Sequence, residues 1–273
     1  MKLLRIIVLI AFVFVSIASL TVFIGEKIST DKTIPVITVE GEIIDVSLKA
    51  TDEELLKGVT AYDEKDKDLT DKIIIESISR FTEKGVSKVI YTVCDSDNNV
   101  SKATRLIRFV GYESPKFRVS GNLCFSLYEY IDITGMISAI DSLEGPISGN
   151  IIVTSDNFSS SITGAFSIDA TVTNSKGDSA SVKLPIIVED RPLSVPTIEL
   201  SEYLIYIDKG QKVDFRSYIV DALDLNELSL KDSVTVEAHM VDINTPGTYN
   251  VHYYVTDANA LRGHSVMTVV VGE

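Results

Sequence analysis

Gly85, Gly164 and Gly247 each open a stretch in which every second residue is apolar, and each stretch closes on Asp95, Asn174 or Asp257. The apolar sets are Val89, Tyr91 and Val93; Ile168, Ala170 and Val172; and Val251, Tyr253 and Val255. A period of two is the pattern of a half-buried β-strand, and a closing Asp or Asn supplies turn chemistry. Three copies, roughly eighty residues apart, predict a string of similar small β domains.

The flanking sequence keeps the same order in each copy. Ala61-Tyr62-Asp63, Ala139-Ile140-Asp141 and Ile219-Val220-Asp221 precede the short apolar runs at Ile73–Ile75, Ile151–Val153 and Val234–Val236. Turns follow at Asp95–Asn99, Asn174–Asp178 and Asp257–Ala260, and a last strand closes each copy. Thr51–Gly58 has room for one helical turn. Many short strands with frequent turn signals predict an all-β chain of three tandem antiparallel β-sandwiches with Greek-key connections. The expected boundaries are 33–111, 115–189 and 195–272. The linkers are brief and contain or precede Pro, which limits bending, so three separate beads in a line are expected.

Ile6 to Ile24 carries no charge, with Lys2 and Arg5 just before it. At ~1.5 Å rise per residue, such a helix covers the ~30 Å apolar layer of a membrane. The positive flank places residues 1–5 in the cytoplasm and exports the rest. Two readings stay open: an uncleaved transmembrane signal anchor over 6–24, or a signal peptide cut after Ser16-Ile17-Ala18 that releases a secreted protein. The apolar run continues past that cleavage site, which favours the anchor. The chain closes at Val271-Gly272-Glu273 without a sorting motif, so attachment to the membrane is expected through residues 6–24.

The chain has 273 residues and a formal net charge of −14. Since Lys2 and Arg5 belong to the first segment, the exported part is more acidic still. That charge repels nucleic acid, so no nucleic-acid partner is expected. Trp is absent, which excludes a glycan platform built on indole. Cys94 and Cys124 fall in different copies, and a bridge would need Cα atoms within ~7 Å. Two free thiols are the simpler reading.

Ala61-Tyr62-Asp63, then Asp66-Lys67-Asp68-Leu69-Thr70, then Tyr91-Thr92-Val93-Cys94-Asp95-Ser96-Asp97-Asn98-Asn99 resemble the bacterial immunoglobulin-like domain of group 3. Such domains repeat in surface proteins of Gram-positive bacteria and occur in some pesticidal crystal proteins. Pro246-Gly247-Thr248-Tyr249 and Tyr254-Val255-Thr256-Asp257 look like the same family, whereas the middle copy shares only the spacing. The resemblance implies immunoglobulin-like sandwiches that act as spacers or adhesive modules. Lys67 and Asn98 stand where the family usually has Gly. Asn tolerates the left-handed backbone, while Lys67 suggests an altered loop. The third copy keeps only Asp221 and Asp224 of the acidic loop.

Asp63, Asp66 and Asp68, joined by Asp95 and Asp97 from another turn, offer the oxygen ligands that calcium takes. The competing reading is a solvated turn in which Asp caps backbone amides; Lys65 and Lys67 interrupt the cluster. No other cofactor is expected. His239, His252 and His264 lack zinc spacing, which favours surface histidines. Tyr112, Phe117, Tyr128, Tyr130, Tyr203, Tyr206 and Tyr218 are candidates for contact with a protein or glycan, or for packing across sandwich seams. No nucleophile elbow, zinc-protease helix or phosphate loop is present, and a narrow sandwich lacks the deep cleft that a pair of catalytic carboxylates needs. The expectation is a cell-surface structural or adhesive protein that is not an enzyme, with a calcium-stiffened stalk assisting a membrane enzyme complex as a further alternative.

Overall fold

A computed structural model of the chain describes residues 2–29, 32–155 and 158–272, with backbone alone for 2–5, 23–29 and Ser155. The expected anchor segment falls inside α1 (Lys2–Ser29), whose side chains from Ile6 to Val22 are all exposed. Residue 1 of the expected cytoplasmic stretch, and the side chains of residues 2–5, lie outside the described part. Among the described residues, no helix is long and apolar enough to cross a membrane.

The rest is mostly β-sheet, arranged as three successive pairs of sheets. In the first pair, β1 (Val36–Val39), β3 (Val59–Asp63) and β4 (Lys67–Asp68) form one sheet. The other has the order β2 (Ile43–Val46), β7 (Val100–Phe109), β6 (Val86–Cys94) and β5 (Ile74–Glu83). The helical turn α2 (Asp52–Leu56) joins β2 to β3, and the Thr51 side chain accepts from the Glu54 N–H at its start. The second pair repeats this with β8 (Lys116–Val119), β10 (Ile137–Asp141) and β11 (Gly145–Pro146), against β9 (Cys124–Ser126), β14 (Ser179–Glu189), β13 (Gly164–Thr173) and β12 (Ile152–Ser155). Here the short turn is α3 (Ile133–Met136). In the third, β15 (Thr197–Leu200) and β17 (Ile219–Leu223) face β16 (Leu204–Ile207), β20 (Arg262–Val271), β19 (Gly247–Thr256) and β18 (Thr235–Glu237).

The period-two strands are the centre of each core. Val89, Tyr91 and Val93 are at most 1% exposed, Ile168, Ala170 and Val172 at most 2%, and Val251, Tyr253 and Val255 at most 1%. Full burial of such a side chain contributes about 1.5–3 kcal/mol, which fixes the register of each hairpin.

One feature departs from the purely antiparallel expectation. The first strand of each pair is split: its first half joins one sheet antiparallel, and its second half crosses to the other sheet. There β2 runs parallel to β7, β9 to β14 and β16 to β20. In the first pair the switch passes through Gly41 at φ 74°, a backbone that glycine adopts without strain. By joining both sheets, the split strand closes one edge of the sandwich.

The chain also divides differently from the three separate beads that the sequence predicts. It folds into two compact units, residues 1–110 and 111–273. In the second unit a continuous buried cluster runs from Phe117 and Leu123 through Ile186 to Tyr203, Tyr253 and Val269. The physical reason is a seam between the second and third sheet pairs. The Phe117 N–H donates to the Tyr206 hydroxyl oxygen at 2.9 Å. The Asn122 amide donates to the His264 carbonyl at 2.7 Å, while its oxygen accepts from the Val266 N–H at 3.3 Å. Within the third pair, Gly263 lets β20 come close to the segment that leads into β15: a Cβ there would stand 2.1 Å from the Pro196 carbonyl oxygen.

Candidate functional site

The first unit brings two aspartates into its interior at one end. Asp63 ends β3 and is 2% exposed; Asp95 follows β6 and is 6% exposed. Each is held by backbone donors from its own turn. Asp63 Oδ1 accepts from the N–H groups of Lys65 at 2.8 Å and Asp66 at 3.0 Å, and its Oδ2 accepts from the Thr33 hydroxyl at 3.3 Å. Asp95 Oδ1 accepts from the N–H groups of Asp97 and Asn99, and its Oδ2 from the Asn99 amide at 2.7 Å. Asp66 reaches across to accept from the Ser96 N–H at 2.8 Å. That bond, with the Ser96 hydroxyl and the nearby Lys72 and Lys65, holds its carboxyl below the usual range.

One oxygen from each of Asp63, Asp66 and Asp95 lies within 4.8 Å of the others. The donor set is all oxygen and anionic, which suits a hard cation. Calcium's six to eight ligands would then be completed by further oxygens, including water. Of the five sequence candidates, two lie apart from this group. Asp68 accepts from the Thr70 N–H at 2.9 Å, and the Thr70 side chain and backbone keep its carboxyl low. Asp97 is ion-paired with Lys65.

The second sheet pair provides an internal comparison. Asp141 stands where Asp63 does, and its Oδ1 accepts from the Leu143 and Glu144 N–H groups. Glu144 takes the place of Asp66 and accepts from the Ser175 N–H at 2.9 Å. The position of Asp95, however, holds Asn174, whose amide donates to Asp141 Oδ2 at 3.0 Å and to the Tyr112 hydroxyl at 2.8 Å. The second pair thus carries a neutral donor where the first carries a second carboxylate. Burial raises the Tyr112 phenol, and the Asp178 and Asp141 carboxylates raise it further. In the third pair Asp257 keeps the turn, accepting from the Asn259 and Leu261 N–H groups, while Asp221 bonds the Ser229 hydroxyl at 2.6 Å.

The turn positions that the family resemblance assigns to glycine are left-handed here. Lys67 and Asn98 have φ of 67° and 66°, where the second pair has Gly145 and Gly177, and the third has Glu227 and Ala260 at 61°. Lys67 therefore does not alter the loop; it adopts the backbone that glycine would and bears the strain.

Arg105 is a buried charge that pattern reading passes over. It is 2% exposed, and its guanidinium donates to the carbonyls of Leu55 at 2.7 Å, Lys57 at 3.0 Å and Glu40 at 3.2 Å. It also donates to the Tyr91 hydroxyl at 3.0 Å, which in turn donates to Leu55 at 2.8 Å. The guanidinium thus caps the C-terminal end of α2, where unpaired carbonyls favour a cation. Its sequence signal is an arginine at an inward position of β7, in line with Ile107 and Phe109.

The histidines depart from the surface reading. His239 is exposed, but His264 is 5% exposed and His252 is half-buried. The second sheet pair covers the outward face of β20, which is why His264 is enclosed. His264 Nδ1 lies 2.8 Å from Glu189 Oε1, and its Nε2 lies 3.0 Å from His252 Nδ1. Both cysteines are free; Cys94 is exposed and Cys124 is buried, and burial pushes the Cys124 thiol up. Among the aromatic candidates, Phe117 and Tyr203 are buried, Tyr112 and Tyr218 are partly covered and Tyr206 is 37% exposed, whereas Tyr128 and Tyr130 stand 73% and 90% exposed.

Comparison with known proteins places part of this architecture. Residues 202–271 match the family described as bacterial surface protein, Ig-like domain. Pesticidal crystal protein Cry22Aa of Bacillus thuringiensis is 30% identical over 250 residues, covering 86% of this chain and 33% of that protein. An uncharacterized 81.3 kDa protein of Acholeplasma phage L2 is 27% identical over 139 residues, covering 50% of this chain and 18% of its own length. The chain thus spans a third or less of either relative. Among solved structures, the M60 catalytic domain with CBM51-1 and CBM51-2 of Clostridium perfringens ZmpB aligns over 88% of this chain and 31% of that one, with 15% identity and a TM-score of 0.25. Drosophila N-cadherin EC1-4 aligns over 89% and 76%, with 14% identity and the same TM-score of 0.25. Neither overlay is close enough to carry anything over to this chain. The third sheet pair, over residues 202–271, is an immunoglobulin-like domain of the bacterial surface-protein kind.

Proposed function

We propose that the chain is a non-catalytic surface protein, held in a membrane through residues 6–24, that presents three tandem immunoglobulin-like sheet pairs outside the cell to a protein or glycan. The single observation that carries this reading is the surface-protein domain at 202–271. The four-stranded sheet of the third pair, repeated with the same strand order twice upstream, supports it. Tyr128 and Tyr130 supply exposed aromatic faces suited to such contacts. The Asp63, Asp66 and Asp95 group adds a calcium-dependent element at one end of the first pair. The net charge of −14 argues against nucleic acid as the partner.

A second reading, a secreted binding module cut after Ala18, is favoured by the small residues Ser16 and Ala18. One experiment separates the two. The chain, tagged after residue 273, is expressed in a Gram-positive host, and cells, membranes and medium are assayed with and without external protease. The anchored reading expects the tag in the carbonate-washed membrane fraction and its loss when intact cells are treated. A soluble chain in the medium beginning at Ser19 establishes the secreted reading, and a protease-resistant cytoplasmic chain overturns both.

A further inference from the structure

We propose that the seam between the second and third sheet pairs is a proton-sensitive latch made of Glu189, His264 and His252, which accepts one extra proton and is forced open by a second. The three groups form a chain across the seam. Glu189 is the last residue of β14, His264 lies on β20 and His252 on the neighbouring β19. The Glu189 Oε1 to His264 Nδ1 distance is 2.8 Å, and that from His264 Nε2 to His252 Nδ1 is 3.0 Å. The His264 carbonyl also accepts from the Asn122 amide of the second pair at 2.7 Å, so the backbone that carries this imidazole is itself part of the seam.

Counting protons shows why the second one is rejected. An ionised Glu189 only accepts, so His264 Nδ1 carries a hydrogen. A single hydrogen then fits between His264 Nε2 and His252 Nδ1. In the neutral pair His252 donates it. When one proton is added, His264 becomes an imidazolium that donates at both ends, to Glu189 and to His252, while the hydrogen of His252 sits on Nε2. That state keeps every bond and balances the charge of Glu189. A second proton puts hydrogens on both facing nitrogens and a positive charge on both rings, whose centroids are 5.2 Å apart. The contact then has no hydrogen-bonded arrangement left.

The surrounding groups act in both directions. Glu237 on β18 pairs in register with His252, and with Glu189 it favours protonation; His264 and the nearby His239 oppose it. Arg191 lies 3.5 Å from Glu189, Arg262 sits 3.9 Å over the Tyr254 ring, and that ring stacks on His264 at 4.3 Å. The buried Cys124 thiol on β9 and the carboxyl groups of Glu129 and Glu199 line the same pocket as His264. The net result is that burial first, and the His264 charge second, hold His252 below its ordinary value of 6.5. Burial works to raise the Glu189 carboxyl, but the bond to His264 and the charges of His264, Arg191 and Arg262 outweigh it and leave it low. The unfolded chain therefore takes up the His252 proton first. The His252 contribution to the stability of this unit is therefore full above its ordinary value of 6.5 and is lost as pH falls below it.

The test uses the full chain in detergent micelles, with histidine NMR titration and thermal melting of the wild type, His252→Asn and His239→Asn. Asn supplies an amide near the place of Nδ1 and does not titrate. The expected result is a fall of roughly 3 °C or more in the melting of the second unit from pH 7.5 to 5.0. His252→Asn should lose at least half of that fall, and His239→Asn should keep it. The wild-type NMR titration should show His252 titrating below 6.5, and it reads the latch even if His252→Asn does not fold. Equal falls in all three proteins, or a His252 that titrates at or above 6.5, would overturn the proposal.

Discussion

Replacing Asp95 with Asn converts the acidic end of the first sheet pair into the arrangement that the second pair already has, where Asn174 donates to Asp141. Oxygens of the buried Asp63 and Asp95 lie within 4.8 Å of each other. Two unit charges at that separation repel by ~3.5 kcal/mol at an effective dielectric of about 20. The substitution removes this term and adds a hydrogen bond of about 1 kcal/mol. Against it stands the Asn99 amide, which loses its acceptor on Asp95 Oδ2 at 2.7 Å; that costs about 1–3 kcal/mol unless the amide turns over. Without divalent ions, Asp95→Asn is therefore expected to stabilise the first unit by about 2 kcal/mol. Calcium at about a hundred times its dissociation constant would stabilise the wild type by ~2.7 kcal/mol, whereas the variant, with one carboxylate ligand removed, is expected to gain less than about 0.7 kcal/mol, so the order of stabilities reverses. Urea unfolding of both proteins in chelator and in excess calcium measures the effect. A variant less stable than wild type in chelator, or the same order in both buffers, refutes the reasoning.

Three further outcomes follow from described contacts. Arg105→Met leaves the carbonyls of Leu55, Lys57 and Glu40 without their donor and should destabilise the first unit by about 3 kcal/mol in denaturant titration; Arg105→Lys should restore less than half, because the ammonium lacks the planar fork. Ala260→Gly relieves a left-handed alanine at φ 61° and should raise the stability of the second unit by about 1 kcal/mol, read from its urea midpoint at unchanged slope. Under native conditions a thiol reagent should label the exposed Cys94 quickly and leave Cys124, buried and raised, unlabelled until the chain unfolds.

The core was legible because its signal is local. A single strand records which of its faces is buried, so Val89, Tyr91 and Val93, with their counterparts, could be assigned without knowing any partner. The helical turn within Thr51–Gly58 and the turn aspartates were legible for the same reason. Two of the five site aspartates separated from the rest because sequence spacing does not say where a carboxylate points: Asp68 turns to Thr70, and Asp97 to Lys65. The seam was not legible from alternation. Gly263 to Val269 is buried at every position, because β20 has its own sheet partner on one face and the second pair on the other. The near-continuous run Val266-Met267-Thr268-Val269-Val270-Val271 was the available sign of a strand covered on both sides. His264 lies two residues before that run, inside the buried stretch, where a titratable side chain masks the continuity of the pattern. The parallel β2–β7 pairing depends on a strand crossing between sheets at Gly41, which no periodicity records.

That crossing has a mechanical consequence. Because β2 and β7 run in the same direction, tension between the start of one and the end of the other slides them lengthwise, loading the bonds between Ile43–Val46 and Leu106–Phe109 together. Leu204–Ile207 and Thr268–Val271 meet the same load in the third pair. Pulling instead across the β6–β7 hairpin would peel its rungs apart one at a time. Stretched from its termini in an optical trap, the chain should therefore yield at higher force than when gripped at residues 88 and 106. Equal yield forces in the two geometries would remove this consequence.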